Sequence, residues 1–130
     1  MENNRIEYKK HLTDALEKEV VAFLNYRDGG IIYIGIDDMG NVTEVENEDQ
    51  LQLAIKDRIK NNIQPSALGL FDIVTEIIND FVVLKIIIAG GVEKPYYLRK
   101  YGMTEKGCFI RIGSASEPMS QVMIDSLYSR

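Results

Sequence analysis

One cysteine (Cys108), one histidine (His11), three prolines and no tryptophan are found in the 130 residues of this chain. A lone cysteine excludes an intrachain disulfide framework and any zinc site built on cysteines. His11 has no second histidine to share a metal or a proton with, so a zinc site or a histidine acid–base role lacks support. Apolar runs such as Ile31–Ile36 and Ile86–Ala89 fall far short of the roughly 20 residues that span a bilayer. The first residues, Met-Glu-Asn-Asn-Arg, have no signal-peptide shape. A soluble, reducing, cytoplasmic setting with no membrane partner is the expectation. There is no Gly-x-x-x-x-Gly-Lys-Ser/Thr sequence, hence no P-loop, and no nucleophile-elbow sequence. Gly29-Gly30 follows a predicted helix and precedes a predicted strand, the reverse of the dinucleotide fingerprint, and reads as a helix stop. Positive charge is also short: 15 basic against 20 acidic residues leave a net −5. That excludes a histone-like wrapper of nucleic acid but leaves room for a local basic face.

What remains is the composition of an ordinary globular domain, 45% hydrophobic and 27% charged, which argues against disorder. The length suits one domain over 1–130, large enough to bury a core. Residues 4–11 alternate loosely and predict a first strand. Thr13 suits an N-cap, and Leu16, Val20, Phe23 and Leu24 make one helical stripe behind it. Ile31–Ile36 reads as a strand buried on both faces. Asp37–Asn41 is a turn, with a short return strand over 42–45. Asn47 and Gln50 resemble a capping box, with Leu51, Ala54, Ile55 and Ile59 on one helix face and an end near Pro65. Phe71–Ile78, the two-residue turn Asn79-Asp80 and Phe81–Ala89 predict a hairpin. Residues 92–108 look irregular. Phe109–Ile112 is a last strand, and Ser116-Glu117-Pro118 opens a third helix with Met119, Val122, Met123 and Leu127 on one face. The class is α+β: a mixed sheet of about six strands with three helices packed on it.

Charge is unevenly spread. Residues 37–50 hold six acids and no base, whereas residues 92–111 hold five cations (Lys94, Arg99, Lys100, Lys106, Arg111) against two glutamates. Tyr96, Tyr97, Tyr101 and Phe109 lie among those cations. Cations interleaved with aromatics suit a phosphate backbone with stacked bases. Lys9 and Lys10 extend the patch if the first and last strands are neighbours. The competing reading is a solvated loop whose tyrosines pack on the sheet. Arg111-Ile-Gly113-Ser114, placed just before the predicted third helix, suits either an anion at the helix N-terminus or simple capping.

Several stretches taken in order resemble one family. They are Glu2-Asn-Asn-Arg-Ile-Glu7-Tyr-Lys9, Val21-Ala-Phe-Leu-Asn25, Gly29-Gly30-Ile-Ile-Tyr-Ile-Gly35-Ile-Asp37-Asp38 and Ile110-Arg111-Ile-Gly113-Ser114. Together they are similar to the schlafen-type, AlbA-like DNA-binding domains, over nearly the whole chain. The sequence departs from that pattern at Tyr26, usually small or Thr, and at Glu117, near which a basic residue is usual. The resemblance implies the N-terminal part of a longer transcriptional regulator that binds DNA or RNA. It also implies, as an alternative, a metal-dependent ribonuclease in which Glu2, Glu7 and Asp38 hold Mg²⁺ or Mn²⁺. Oxygen-only ligands suit those ions, and such an ion activates water. Glu2 and Glu7, five apart, converge only if the chain bends between them. Against this stands the plainer reading of a strand-surface Glu7 paired with a lysine and of Asp37 and Asp38 as turn residues. A third implication is a homodimer, built through an exposed strand edge. In the binding reading no cofactor is required, and the contacts fall to Lys9, Lys10, Lys94, Tyr96, Tyr97, Arg99, Lys100 and Arg111.

Overall fold

The β-branched run after Gly29-Gly30 does form the centre of the sheet. In the computed structural model, which describes residues 1–129, β1 (Ile6–Lys9) leads into α1 (Leu16–Asn25), which returns to β2 (Gly30–Ile34). β2 lies parallel to β1, with Glu7 beside Ile32 and Lys9 beside Ile34. α2 (Glu48–Asn62) runs directly into the two-residue β3 (Ile63–Gln64). The hairpin of β4 (Phe71–Ile78) and β5 (Phe81–Ile88) follows, and β5 inserts antiparallel to β2. The order of the main sheet is β1-β2-β5-β4. Beyond it lie β6 (Tyr97–Leu98), β7 (Phe109–Ile112), β8 (Ala115–Pro118) and α3 (Gln121–Tyr128). Among the described residues the α+β class and the three helices hold. The strands, however, number eight in three sheets, with four in the main sheet, one β3–β6 pair and one β7–β8 hairpin. No helix is long and apolar enough to cross a membrane among the described residues.

The Asn79-Asp80 turn carries positive φ at both residues, 51° and 69°, as a type I′ hairpin turn requires. Its twist matches that of the flanking strands, so local chemistry settles the β4–β5 register. The start of the third helix differs from expectation. Gly113, at φ 59°, turns the chain back, and Ala115–Pro118 pairs with β7 as β8. The helix begins only at Gln121, where Ser120 Oγ accepts from Met123 N at 3.2 Å. A Gly-Ser pair between short strands is a hairpin signal, and it outweighs the helix-start preference of Pro118. Arg111-Ile-Gly113-Ser114 therefore lies in a hairpin and not before a helix. On α3, Ile124 is buried and Val122 is exposed, so its inner face is offset from the expected stripe.

α1 buries more than a stripe. Leu16 and the whole run Glu19–Asn25 are buried. The main sheet covers one side of the helix, and β6, β7 and β8 cover the other. The enclosed stretch Val20–Leu24 is accordingly apolar on every side, while Glu17 and Lys18 of the first turn stay outside it. The helix ends at Tyr26, in extended conformation, and not at the glycines. Gly29 and Gly30 serve close approach instead. A Cβ on Gly29 would lie 2.1 Å from the Ile88 carbonyl oxygen, and one on Gly30 would lie 2.2 Å from the Phe23 ring. The main core joins α1, β2, β5 and Ile55, Ile59 and Ile63. A small second core holds Cys108, Met119 and Ile124 under α3. Burial pushes the Cys108 thiol up to about 11, leaving it a small hydrophobe at neutral pH.

Asn25, the last residue of α1, fastens these layers. Its Nδ2 donates to the carbonyls of Tyr96 (2.9 Å) and Phe109 (2.8 Å), and its Oδ1 accepts from Tyr96 N at 2.7 Å. Asn25→Ala strands all three backbone groups, so a loss of about 2–4 kcal/mol is expected. Urea unfolding checks this as a lower midpoint at unchanged slope. An unchanged midpoint would mean that the clamp contributes nothing.

Candidate functional site

The acidic residues at the N-terminus meet a buried cation. Glu7 projects from β1 onto the helix-covered face of the sheet, in register with the buried Ile32. Arg111 reaches it from β7, with Nη1 2.8 Å from Glu7 Oε1 and 3.4 Å from Glu19 Oε2. The same guanidinium donates to Ser116 Oγ at 3.2 Å and to the carbonyls of Asn3 and Ile6 at 3.0 and 3.1 Å. It lies 4.8 Å from the centre of the Phe23 ring. Only its Nε, among its nitrogens, makes no hydrogen bond. Arg111 is 2% exposed, so it is not a surface contact for phosphate. The reason is electrostatic: two buried carboxylates need a counter-charge, and a planar fork can serve both. Lys9, on the same strand face as Glu7, lies 3.4 Å from its Oε2.

Glu2 comes back onto this group because the chain does bend, at the Asn3–Ile6 bridge. Its Oε2 accepts from Tyr8 N at 3.0 Å. Burial and then the hydrogen bond with Glu7 raise its carboxyl above the ordinary range. Asp38 is exposed in the turn after β2. Beside it, Asp37 holds that turn. Its carboxylate accepts from Asn41 N and Met39 N at 2.8 and 3.0 Å, which keeps it below the ordinary value. Among the described residues no group of three His, Cys, Asp or Glu side chains is placed to hold a metal ion. Glu2 and Glu7 are thus brought together and Asp38 is not. The guanidinium takes the position of counter-ion, so these residues do not fit a divalent metal as they stand.

The basic segment divides. Tyr96 is fully buried, its backbone held by Asn25, and is lost to any ligand. Tyr97 is half-buried against the small second core. Lys94 faces a different hollow, between Arg27 and α3. Lys10 is exposed at the end of β1. Arg99 and Lys100 are exposed and line an open cleft of about 970 Å³ with Tyr101. The remaining walls are Asp14 just before α1, the first turn of α1 (Glu17, Lys18) and the C-terminal end of α2 (Arg58, Asn61, Asn62). The cleft therefore holds four cations and two carboxylates. The Arg58–Glu17 pair removes one of each, leaving Lys18, Arg99 and Lys100 against Asp14. Glu17 pairs with Arg58, whose Nε lies 2.9 Å from Glu17 Oε2, and accepts from Asn62 Nδ2 at 2.8 Å. Burial opposes ionisation of Glu17, but these bonds outweigh it and hold its carboxyl below the ordinary value. Lys18 sits 5.6 Å above the Phe109 ring with its charge near the cleft. Lys18, Arg58 and the two asparagines carried no sequence signal, because only the packing of α1 against α2 brings them to Arg99.

The family described as Schlafen, AlbA_2 matches residues 2–120. The chain belongs to that family. In fold it is similar to the DIP2311 protein from Corynebacterium diphtheriae, with a TM-score of 0.68 at 19% identity over 98% of this chain and 24% of that one. The domain thus spans about a quarter of that protein's length. It is also similar to the N-terminal domain of an ATP-dependent DNA helicase RecG-related protein from Nitrosomonas europaea, with a TM-score of 0.64 at 19% identity over 91% of this chain and 80% of that one. At such identity the likeness is one of fold. No curated protein is similar enough to this chain to count as a relative.

Two outcomes follow for this member of the family. Arg111→Met leaves the buried Glu19 without a counter-charge and Glu7 with Lys9 alone, and is expected to cost about 3–5 kcal/mol. Hydrogen exchange of the β1 amides checks it, since the guanidinium ties down the Asn3 and Ile6 carbonyls. Native protection of β1 in the variant would contradict the role. The second outcome concerns pH. Glu17, depressed in the fold, contributes stability above its ordinary value of 4.5 that is lost as pH falls through the folded value. Arg58→Ala is then expected to cost about 1–2 kcal/mol at neutral pH and little once Glu17 is protonated. Glu2 has the opposite sign: raised in the fold, it costs stability when ionised and ceases to do so at low pH. A pH titration of the unfolding midpoint in wild type and variant separates the two.

Proposed function

We propose that this domain is the nucleic-acid-binding module of a transcriptional regulator and that it contacts phosphate through the cleft between α1, α2 and the Leu98–Tyr101 segment. One observation carries the reading. In a chain of net charge −5, Lys18, Arg99 and Lys100 converge on one cleft and, outside the Arg58–Glu17 pair, face only Asp14 there. The family, and a neighbour in fold named for a DNA helicase, support a ligand of this class. Arg99 and Lys100 lead at the rim, and the half-exposed Tyr101 ring offers a stacking face beside Lys100 at 5.3 Å. The contacts read charge and shape and carry little base specificity.

Fluorescence anisotropy of labelled duplex DNA and of structured RNA, at low and moderate salt, tests this. Binding is expected to weaken steeply with salt. The double variant Arg99→Ala with Lys100→Ala is expected to bind weakly and to reduce the slope of log K against log salt by about 2. A variant that binds as the wild type does, or binding indifferent to salt, would sink the assignment.

A further inference from the structure

The turn that carries Tyr101 is braced by its own backbone. The Leu98 carbonyl accepts from both Tyr101 N (3.1 Å) and Gly102 N (2.9 Å), and Leu98 N donates to the Gly107 carbonyl at 2.9 Å. Gly107 passes so close that a Cβ there would lie 2.2 Å from the Gly102 carbonyl oxygen. Arg99 ties the same turn to the C-terminal end of α2. Its N donates to the Asn62 carbonyl at 2.9 Å, and its Nη1 to the Asn61 carbonyl at 3.4 Å. The guanidinium thereby sits at the negative end of the helix dipole, where a cation is favoured. The Tyr101 ring, 44% exposed, is thus fixed on the wall of the cationic cleft. That cleft, at about 970 Å³, lies at the upper end of the range for small-ligand sites. A protein that reads a duplex does the reverse and pushes a helix or a β-ribbon into the major groove. Here α2 meets the cleft with its C-terminal end and α1 with its first turn, so the cations line a hollow and do not crown a ridge.

We propose that the cleft takes one unpaired nucleic-acid strand in preference to a duplex, with phosphates on Lys18, Arg99 and Lys100 and one base stacked on Tyr101. The inference rests on the nucleic-acid reading above and names the form of ligand that the cleft selects. In a duplex each base face is covered by its neighbours, and the Tyr101 ring has nothing to stack on. An unpaired base supplies that face, whatever its identity. Lys100 Nζ lies 5.3 Å from the centre of the same ring, so one nucleotide can meet the ring with its base and the ammonium with its phosphate. Charge alone works the other way. A duplex carries one phosphate charge per roughly 1.7 Å of its axis and each of its strands half as many, so a cationic surface without a stacking group favours the duplex. Reversing that preference needs a contact that only an unpaired base can make. Tyr101 is the aromatic side chain among the residues lining this cleft.

The probes are a short labelled oligothymidylate, its duplex with oligoadenylate, and an abasic strand of the same length, titrated with the whole chain at one salt concentration. An oligouridylate and its duplex, run in parallel, show which sugar the cleft prefers, and a preference for the unpaired strand in either series supports the inference. The unpaired strand is expected to bind about tenfold more tightly than the duplex, as the stacking of one base implies. The abasic strand is expected to bind no better than the duplex. Tyr101→Leu should lower the affinity for the unpaired strand about tenfold and close the gap, without changing the slope of log K against log salt. Tyr101→Phe, which keeps the ring, should reopen it. The abasic strand makes the same comparison without altering the protein, so the test stands even where a Tyr101 variant fails to fold. A duplex bound as tightly as the unpaired strand, an abasic strand bound as tightly as oligothymidylate, or a folded Tyr101→Leu that binds as the wild type does would each overturn the inference and leave the cationic cleft standing. Binding indifferent to salt, or untouched by Arg99→Ala with Lys100→Ala, would overturn the nucleic-acid reading and this inference with it.

Discussion

The buried guanidinium of Arg111 is the constraint on which the rest of the architecture hangs. It connects three layers at once: the N-terminal strand through Glu7 and the Asn3 and Ile6 carbonyls, α1 through Glu19 and Phe23, and the β7–β8 hairpin through Ser116. Desolvating an arginine is expensive, and its return comes only when the fork is nearly filled. Here Nη1 and Nη2 are both engaged. The cluster is therefore best understood as a specifying device. A β1 shifted by one residue would turn Glu7 to the other face and leave the guanidinium facing apolar side chains.

This arrangement redistributes the charge of the molecule. The N-terminal acids are neutralised inside, by Arg111 and Lys9, and do not collect at a surface. Arg58 removes Glu17 in the same way. Residues 37–50 hold six acids, and Lys18, Arg99 and Lys100 line the cleft outside the Arg58–Glu17 pair. An acidic chain thereby presents a cationic cleft at the C-terminal end of α2, away from Glu48 and Asp49 in its first turn.

Much of this was legible in the order of residues. The strand over Ile31–Ile34, the Asn79-Asp80 hairpin, α1 and α2 all follow from periodicity and turn chemistry, which act over a few residues. The family followed from an ordered set of short motifs. The errors share a cause. A cation and an aromatic in an irregular segment look exposed from sequence, yet Arg111 and Tyr96 are both buried. Ser116–Pro118 was assigned to a helix start because Pro118 suits one, and the Gly113 turn pairs it with β7 instead. Lys18, Arg58, Asn61 and Asn62 were absent from the expected site because nothing local marks them.

The sequence by itself determined the α+β class, the central apolar strand, the tight hairpin and the family, because each depends on side-chain spacing or on φ preferences within one segment. Only the tertiary structure decided which charges are spent and which are free. Whether Glu7 meets a guanidinium or a ligand depends on residues more than a hundred positions apart. No local pattern encodes that distance, and burial, set by the packing of α1 between two layers, makes the choice.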